Sequence, residues 1–360
     1  MNDDKYIEWC ELIDKQKIKK SAKDELKRYV RDMLDRNGII ILTVHHLASL
    51  VGLQTTEVCK MIETPEKYYR HFFIPKRHGG SREISAPYPS LMSAQEWIYR
   101  EILLPRYECA PCATGFVPGK SIKDNAQPHC GNRVVLQMDL KDFFPSITLN
   151  RVINVFRHQG YYNQMAYYLA ALSCKDGVLP QGAPTSPMLS NIIAGRMDKR
   201  LMGLCEKFSI TYTRYADDLT FSGEHIGRSF IRLVTEIIQS EGFQVNESKT
   251  KLLKDNARKI ITGVSISSGK TTIPKARKRR LRQEAYYISK YGMKNHMEHE
   301  NIRDGKYMMR LRGHFAYWKS VDEGDNVNKE FRRAFPQNNG GIRKIFHRLK
   351  FKIKEIGKRK

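Results

Sequence analysis

The chain has 360 residues, 41% hydrophobic and 10% aromatic, which is enough for a buried core and excludes a disordered chain. The 63 Lys and Arg residues against 38 Asp and Glu give a net charge of +25, which indicates a polyanionic partner, most often nucleic acid. No apolar run approaches a membrane span of ~20 residues, and MNDDKYIEWC lacks the apolar core of a signal peptide, so we expect an intracellular protein with no membrane partner.

The cysteines favour a reducing compartment. There are 7 of them, an odd number without disulfide-like spacing. Cys109 and Cys112 precede His129 and Cys130 in the chain, but the last two are adjacent rather than at a usual zinc-ligand spacing. We therefore interpret these cysteines as reduced thiols rather than as a zinc site.

Residues 1–65 are predicted to form an N-terminal helical region. The segment 42–63, LTVHHLASLVGLQTTEVCKMIE, has the small-residue, glycine and apolar spacing of a helix-turn-helix. We interpret it as a small packing module, and sequence-specific binding of duplex DNA is the alternative.

A positively charged hairpin is predicted next. Residues 72–87, FFIPKRHGGSREISAP, read as two short strands around an HGGS turn. Lys76, Arg77 and Arg82 crowd this hairpin with positive charge. Helical segments then alternate with short apolar strands up to about residue 272.

A strand that ends in an acidic residue follows. In VVLQMDLKDFFPSI, residues 134–147, the apolar stretch from Val134 to Met138 predicts a buried strand, and Asp139 stands at its end. Asp142 is better explained as a turn or helix-start residue, since two phenylalanines and a proline follow it.

The next element is a constrained loop that opens a helix. In LPQGAPTSPMLSNIIAGRMDKRL, residues 179–201, one glycine and two prolines restrict the backbone, and Ser186–Pro187 predicts a helix start. The loop is expected to present Gln181 and backbone amides to a substrate.

Two adjacent aspartates lie in TRYADDLTFS, residues 213–222, where the alternation predicts two strands joined by a tight turn at the acidic pair. Two charges ~4 Å apart repel by about 4 kcal/mol at an effective dielectric near 20. The pair alone fits either a solvated turn or a divalent-cation site. Asp139 supplies a third carboxylate and favours the second, because three carboxylates on neighbouring strand ends can hold two Mg²⁺ ions for nucleotidyl transfer.

The last third of the chain is predicted to be a basic, mostly helical region. KARKRRLR, residues 275–282, has six basic residues in eight, and residues 343–360 are basic with interleaved apolar positions. Such clusters predict contacts with phosphates. The segment SEGFQVNESKT, residues 240–250, closes a helix, begins a strand and places Lys249 near the acidic residues.

In this order, the strand ending in aspartate, LPQG with SP, and YADD resemble the palm of a reverse transcriptase. Two further stretches, NAQPH at 125–129 and ITG at 261–263, are similar to those of bacterial retron reverse transcriptases, which usually have Val where this chain has Ile261. From the chemistry of the residues alone, Asn125 and His129 fit a loop whose polar side chains satisfy local backbone groups. Only the resemblance implies that they bind RNA.

The resemblance implies an α+β right-hand polymerase fold. Its fingers and ferredoxin-like palm, an antiparallel sheet with helices, would occupy residues 66–272, and a helical basic thumb would occupy residues 273–360.

The resemblance also implies residue roles. Asp139 and Asp217 would be the main metal ligands, with Asp218 as the third catalytic carboxylate and the Leu140 carbonyl as a further ligand, around two Mg²⁺ ions or, alternatively, Mn²⁺. The dNTP site would comprise Lys76 and Arg82 on the triphosphate, Phe144 as the steric gate, Gln181 and Gly182 as pocket lining, and Lys249 as the acid that protonates pyrophosphate. RNA-binding residues would be Asn125, His129, Thr262, Gly263, Lys275, Arg277, Arg279 and Arg280.

The resemblance finally implies partners. The protein would copy its own structured non-coding RNA from the 2′-OH of a branching guanosine into an RNA–DNA molecule, the msDNA. It would act in the bacterial cytoplasm within an anti-phage defence unit, with a separate effector protein and host RNase H. The alternatives are a group II intron-like or diversity-generating reverse transcriptase, and a non-catalytic RNA-binding scaffold that restrains a toxin.

Overall fold

The computed structural model describes residues 2–75, 79–255, 257–322 and 326–335. The chain divides into two compact units: Met1–Lys120 with Val134–Leu252, and Ser121–Arg133 with Leu253–Lys360. Helices and antiparallel strands both occur, as an α+β protein requires. None of the helices in the described ranges is long and apolar enough to cross a membrane.

The first unit begins with four helices, α1 (Asn2–Asp14), α2 (Lys20–Asp35), α3 (Val44–Val51) and α4 (Thr55–Glu63). The Thr43 side chain caps α3 by accepting from the His46 N–H at 3.0 Å, and Gly52 ends it in the left-handed conformation. Two helices joined by a glycine turn are what the spacing of residues 42–63 predicts. Their buried apolar faces belong to the core of the first unit.

The predicted hairpin is confirmed as β1 (Tyr69–Pro75) and β2 (Ser81–Pro87). The strands are antiparallel, with Tyr69 opposite Pro87 and Pro75 opposite Ser81. Lys76 and Arg77 lie outside the described residues.

The described part of the first unit has five more helices after the hairpin. They are α5 (Pro89–Trp97), continued by a π-helical turn at Ile98–Leu103, and then α7 (Leu149–His158), α8 (Asn163–Ser173), α9 (Ser186–Lys207) and α10 (Arg228–Ser240), while α6 (Ile122–Ala126) belongs to the second unit. As predicted, Pro187 lies in the first turn of α9, where its missing N–H leaves no hydrogen bond unmade.

A four-stranded sheet lies at the centre of the first unit. Its strands are β3 (Val134–Asp139), β4 (Thr211–Tyr215), β5 (Asp218–Gly223) and β6 (Lys251–Leu253), in the order β4-β5-β3-β6. β5 is antiparallel to both β3 and β4. Leu136, Leu219 and Phe221 are fully buried, so packing fixes the two central strands in register.

Besides α6, the described part of the second unit contains a short hairpin and four further helices. The hairpin is β7 (Ile260–Ile261) with β8 (Val264–Ser265), and the helices are α11 (Lys275–Tyr291), α12 (Met293–His299), α13 (Tyr307–Val321) and α14 (Asn326–Ala334). Leu311, Phe315 and Trp318 of α13 are buried, and the rings of Phe315 and Trp318 stack 6.1 Å apart. The basic segment 343–360 lies outside the described residues.

Candidate active site

The sheet brings the three aspartates to one end. Asp139 is the last residue of β3 and pairs directly with Asp218, the first residue of β5. Tyr215 also pairs with Asp218, so Ala216 and Asp217 form the two-residue turn. Leu140 N–H donates to the Asp217 carbonyl at 2.9 Å and ties the turn to the end of β3.

The turn before Asp217 is held in a strained conformation. Ala216 has a φ of 57°, in the left-handed region. Arg214 Nη1 donates to the Ala216 carbonyl at 3.2 Å. Gly115 packs so closely that a Cβ there would lie 2.5 Å from the Ala216 nitrogen. These contacts position the backbone that carries Asp217.

Arg214 is itself held by a buried carboxylate of α9. Its Nη2 lies 2.6 Å from Asp198 Oδ2, and neither side chain is exposed. Tyr212 Oη donates to Asp198 Oδ1 at 2.9 Å, and Arg214 Nη1 donates to Asn191 Oδ1 at 3.0 Å. The sequence analysis did not identify these residues. The sequence contains one indication of them: Arg214 is a charged residue at a strand position where the alternation predicts an apolar side chain.

Asp139 already contacts a cation. Lys249 Nζ lies 2.7 Å from Asp139 Oδ1. Asn246, which the sequence analysis also missed, donates from Nδ2 to Asp139 Oδ2 at 3.4 Å and from its backbone N–H to the Asp139 carbonyl at 2.7 Å. The loop containing Lys249 therefore lies against the end of β3, as the sequence analysis expected of that lysine.

Burial and neighbouring negative charge raise the pKa of two of the three aspartates, Asp217 and Asp218. Burial raises the pKa of Asp218 to about 6, and the charges of Asp217 and Asp139 add to the effect. Burial, followed by the charge of Asp139, also raises the pKa of Asp217. Lys249 and Arg82 oppose these shifts. The site thus carries more negative charge than its own cations compensate, although Asp218 remains accessible to solvent.

The three aspartates are donors of the kind that suits a hard divalent cation. Across the described ranges, no three His, Cys, Asp or Glu side chains are arranged to hold a metal ion as they stand. Three carboxylates nevertheless meet at one sheet end, and the Lys249 ammonium occupies one oxygen of Asp139. Carboxylate oxygens are the ligands that Mg²⁺ and Mn²⁺ prefer. The chemistry of the three carboxylates therefore fits a hard divalent cation.

The LPQG loop lies against the hairpin strand β2. The Gln181 carbonyl accepts from the Ser85 N–H at 2.9 Å. Gly182 has a φ of 126°, and a Cβ there would lie 2.8 Å from the Ser85 carbonyl oxygen. Only glycine fits this close approach of two backbones. On the same hairpin, Arg82 pairs with Ile74 and is exposed.

Phe144 belongs to a cluster of aromatic rings. The ring centroids of Phe144 and Phe116 are 6.1 Å apart, and those of Phe116 and Tyr215 are 6.4 Å apart. Phe144 is half-buried and Phe116 is 41% exposed. The cluster joins Phe144 to Tyr215, the residue that precedes the aspartate turn, through Phe116, which the sequence analysis did not select.

The second unit brings the NAQPH and ITG segments together. Asn125 Nδ2 donates to Thr262 Oγ1 at 3.3 Å. Thr262 and Gly263 form the turn of the β7–β8 hairpin, both with positive φ. Asn125 and His129 are fully buried, and burial lowers the pKa of His129 to about 4. Gly263, by contrast, is exposed.

The four basic residues predicted to bind RNA lie on α11, and each is exposed: Lys275, Arg277, Arg279 and Arg280. Arg277 stacks over the Tyr317 ring at 4.5 Å, and Arg280 pairs with Glu284 at 2.9 Å. These residues belong to the second unit, and the three aspartates belong to the first.

Residues 74–274 match the family model described as reverse transcriptase (RNA-dependent DNA polymerase). The matched range contains the three aspartates, the LPQG loop and the aromatic cluster. The chain is therefore an RNA-directed DNA polymerase with a polymerase fold, a class that uses divalent metal ions.

Similar proteins show which group of reverse transcriptases the chain belongs to. The chain is 36% identical to the retron Mx65 reverse transcriptase of Myxococcus xanthus, over 77% of this chain and 71% of the relative. It is 32% identical to the retron Ec86 reverse transcriptase of Escherichia coli, over 79% of this chain and 86% of the relative. The retron Mx162 reverse transcriptase of Myxococcus xanthus is 33% identical, over 79% and 65%. The chain belongs to the retron reverse transcriptases.

Proposed function

We propose that this reverse transcriptase copies a cognate structured non-coding RNA into msDNA, starting from the 2′-OH of a branching guanosine. The meeting of Asp139, Asp217 and Asp218 at one end of the sheet carries the proposal, because it supplies the carboxylates for nucleotidyl transfer. The retron character of the relatives supports the priming mode and the product.

We assign the parts of a right-hand polymerase as follows. Residues 1–65 form an N-terminal helical region, residues 66–272 the fingers and palm, and residues 273–360 the basic thumb. The β1–β2 hairpin is the proposed fingers element, and the four-stranded sheet with its helices is the proposed ferredoxin-like palm. The described helices of the thumb are α11 to α14.

The proposed cofactor is a pair of Mg²⁺ ions, with Mn²⁺ as the alternative, held by Asp139, Asp217, Asp218 and the Leu140 carbonyl. When bound, the ions lower the pKa of the attacking hydroxyl and stabilise the charge of the leaving pyrophosphate. The raised pKa values of Asp217 and Asp218 fit a site whose neighbouring negative charges a bound cation would compensate.

Lys249 has two proposed roles, first as the ion-pair partner of Asp139 and then as an acid. It contacts Asp139 in this structure, with its Nζ 2.7 Å from the carboxylate oxygen. Its side chain is 59% exposed, and we propose that it can leave Asp139. Released from Asp139, the ammonium is the proposed acid that protonates the pyrophosphate.

The proposed dNTP site lies between the hairpin and the aspartates. Arg82 and Lys76 bind the triphosphate, Gln181 and Gly182 line the pocket, and Phe144 excludes a ribose 2′-OH. The hydrogen bond between Gln181 and Ser85 supports this placement, because it joins the LPQG loop to the strand that carries Arg82.

The proposed RNA site is in the second unit. Thr262 and Gly263 present the hairpin turn to the RNA, and Lys275, Arg277, Arg279 and Arg280 contact its phosphates. Asn125 and His129 support the RNA site from the interior of the second unit, since both are buried and Asn125 hydrogen-bonds Thr262.

We place this protein in the bacterial cytoplasm, in an anti-phage defence unit with a separate effector and host RNase H.

The test is expression of the protein together with the DNA that flanks its gene, followed by isolation of the bound nucleic acid. A branched small DNA joined to RNA is expected, and it should be absent from Asp217→Asn/Asp218→Asn. Asp176→Asn is the matched control, because Asp176 is exposed and distant in sequence from the site. Linear copies from 3′-OH primers alone would favour the group II intron-like alternative, and bound RNA without any DNA would favour the scaffold.

A further inference from the structure

Three tyrosines are exposed near the end of α11. Tyr286, Tyr287 and Tyr291 are 50%, 37% and 51% exposed. The buried residues of the helix are Leu281, Ala285 and Ile288, so the tyrosines belong to its outer face. Clustered aromatic surface in water indicates a binding site rather than a core. We call these three residues the tyrosine platform.

The rings of the tyrosine platform contact one another. The centroids of Tyr287 and Tyr291 are 6.2 Å apart with their planes 22° apart, as the four-residue spacing on a helix allows. Tyr286 meets Tyr287 edge-on at 5.6 Å. These contacts restrict the rings, so less side-chain entropy remains to be lost when a flat ligand stacks on them.

A cation lies beside the same rings. Lys290 Nζ is 5.1 Å from the Tyr291 centroid and 5.9 Å from the Tyr286 centroid. Hydrogen bonding to Tyr291 and the neighbouring tyrosines raise the pKa of Lys290, so its charge stays beside the rings. A positive charge next to flat aromatic faces suits a ligand that carries both planar rings and negative charge.

The charge of α11 restricts the occupant. The helix has seven Lys and Arg residues and one Glu. A second copy of this chain, at +25, would be repelled, as would the basic segment 343–360. Acidic peptides match the charge but do not supply a series of planar faces. Duplex nucleic acid hides its base faces by pairing. Unpaired nucleic acid supplies both phosphates and free bases.

We propose that the tyrosine platform stacks the unpaired bases of a single-stranded RNA segment, while Lys290 and the other basic side chains of α11 bind its phosphates. The inference rests on the RNA-binding role proposed above for this helix. RNA is the expected strand because an RNA-directed polymerase meets its template unpaired, whereas the DNA product is paired with that template as it forms.

The test compares two fluorescent oligomers of eight nucleotides, an unstructured RNA and a matched oligomer in which abasic riboses replace the nucleotides. Both carry the same phosphates. The dissociation constant of the abasic oligomer divided by that of the RNA therefore reports base contacts alone. Fluorescence anisotropy is measured on the full chain in EDTA without dNTPs. Replacing all three tyrosines by leucine should lower the ratio by about tenfold, since base–aromatic stacking contributes ~1–3 kcal/mol per base.

Matched variants separate stacking from other effects. Phenylalanine at the three positions keeps the rings and should keep the ratio. Tyr167→Leu, at an exposed tyrosine of the first unit, should leave it unchanged. Lys290→Gln should reduce the salt dependence of binding by about 0.7 in log–log slope without removing the base preference. Leucine favours helix, so the triple variant should keep its thermal unfolding midpoint.

An unchanged ratio in the triple leucine variant would overturn the proposal. A matched pair of DNA oligomers, with and without bases, is measured in the same way, and a base preference that is larger for DNA than for RNA would overturn the assignment to RNA. The proposed msDNA function fails separately: absence of branched DNA from cells, with the base preference intact, would refute the priming mode and leave the tyrosine platform in place.

Discussion

Arg214 and Asp198 form an ion pair from which solvent is fully excluded, with Arg214 Nη2 2.6 Å from Asp198 Oδ2. The same guanidinium donates to the Ala216 carbonyl, one residue before Asp217. The pair therefore links α9 to the turn that carries the aspartates. Because this turn has left-handed backbone at Ala216, the hydrogen bond from Arg214 stabilises a conformation that alanine rarely adopts.

Arg214→Met should destabilise the protein by about 3–5 kcal/mol, because the Asp198 carboxylate would remain buried without its partner. Urea denaturation measures the change. The control is Arg232→Met, which breaks an exposed pair with Glu236 and should change stability by less than about 1 kcal/mol. Equal losses in the two variants would contradict the prediction.

The double variant Arg214→Met/Asp198→Leu separates stability from turn geometry. Apolar replacement of both partners should recover part of the lost stability, because no buried charge remains, although Tyr212 Oη and Asn191 Oδ1 still lose their partners. Primer extension should stay reduced, since the Ala216 carbonyl still lacks its donor. Full recovery of both properties would show that the ion pair does not position the turn.

Local pattern was sufficient to predict the strands of the site from the sequence. The apolar stretch before Asp139 forms β3, and the alternation around the YADD segment forms β4 and β5. One detail differs: the turn is Ala216–Asp217, and Asp218 is already the first residue of a strand. Strand pairing decides that boundary, because Asp218 lies opposite both Asp139 and Tyr215.

Contacts between distant segments could not be predicted in the same way. Asp198 and Arg214 meet only because α9 packs across the sheet, and Asn125 meets Thr262 over a separation of 137 residues. Single-sequence periodicity carries no information on which helix faces which strand. For that reason Asn125 and Thr262 could be predicted as separate residues, but their hydrogen bond could not.

Acid should destabilise the second unit through His129. Burial lowers the pKa of this histidine from 6.5 to about 4. Above pH 6.5 it is neutral in both the folded and the unfolded chain. Below pH 6.5 the unfolded chain gains a proton that the folded chain resists, so stability falls as the pH approaches 4. The full loss is on the order of 3 kcal/mol.

His129→Gln should remove that part of the pH dependence. Unfolding free energies of the parent and the variant, measured between pH 7.5 and 4.5, should converge as the pH falls. Carboxylate titration affects both proteins equally and cancels in the difference. His158→Gln, at an exposed histidine of α7, is the control for the replacement of histidine by glutamine. A parallel pair of curves for His129→Gln would contradict the assignment.

Gly182→Ala should damage both stability and nucleotide use. The new Cβ would lie 2.8 Å from the Ser85 carbonyl oxygen, at a backbone φ of 126°. Backbone strain and overlap together are expected to destabilise the chain by about 2–4 kcal/mol. The KM for dNTP should rise as the LPQG loop moves away from β2.

Gly177→Ala is the matched control for Gly182→Ala. Gly177 also has positive φ, at 75°, but a Cβ there meets nothing within 4 Å. Its loss should be about 1 kcal/mol, with an unchanged KM for dNTP. Similar KM values for the two variants would mean that the loop does not contact the nucleotide.

Phe144→Ala should admit ribonucleotides, if its half-buried ring occupies the space that a 2′-OH would need. The ratio of kcat/KM for dNTP to that for rNTP is expected to fall by about tenfold or more, mainly through better use of rNTP. Phe116→Leu should give a smaller fall, because the Phe116 ring packs against Phe144 at 6.1 Å and restricts its movement. Phe73→Ala, at a ring that is 67% exposed on β1, is the control. A ratio that stays constant in Phe144→Ala but falls in Phe116→Leu would assign the steric gate to Phe116.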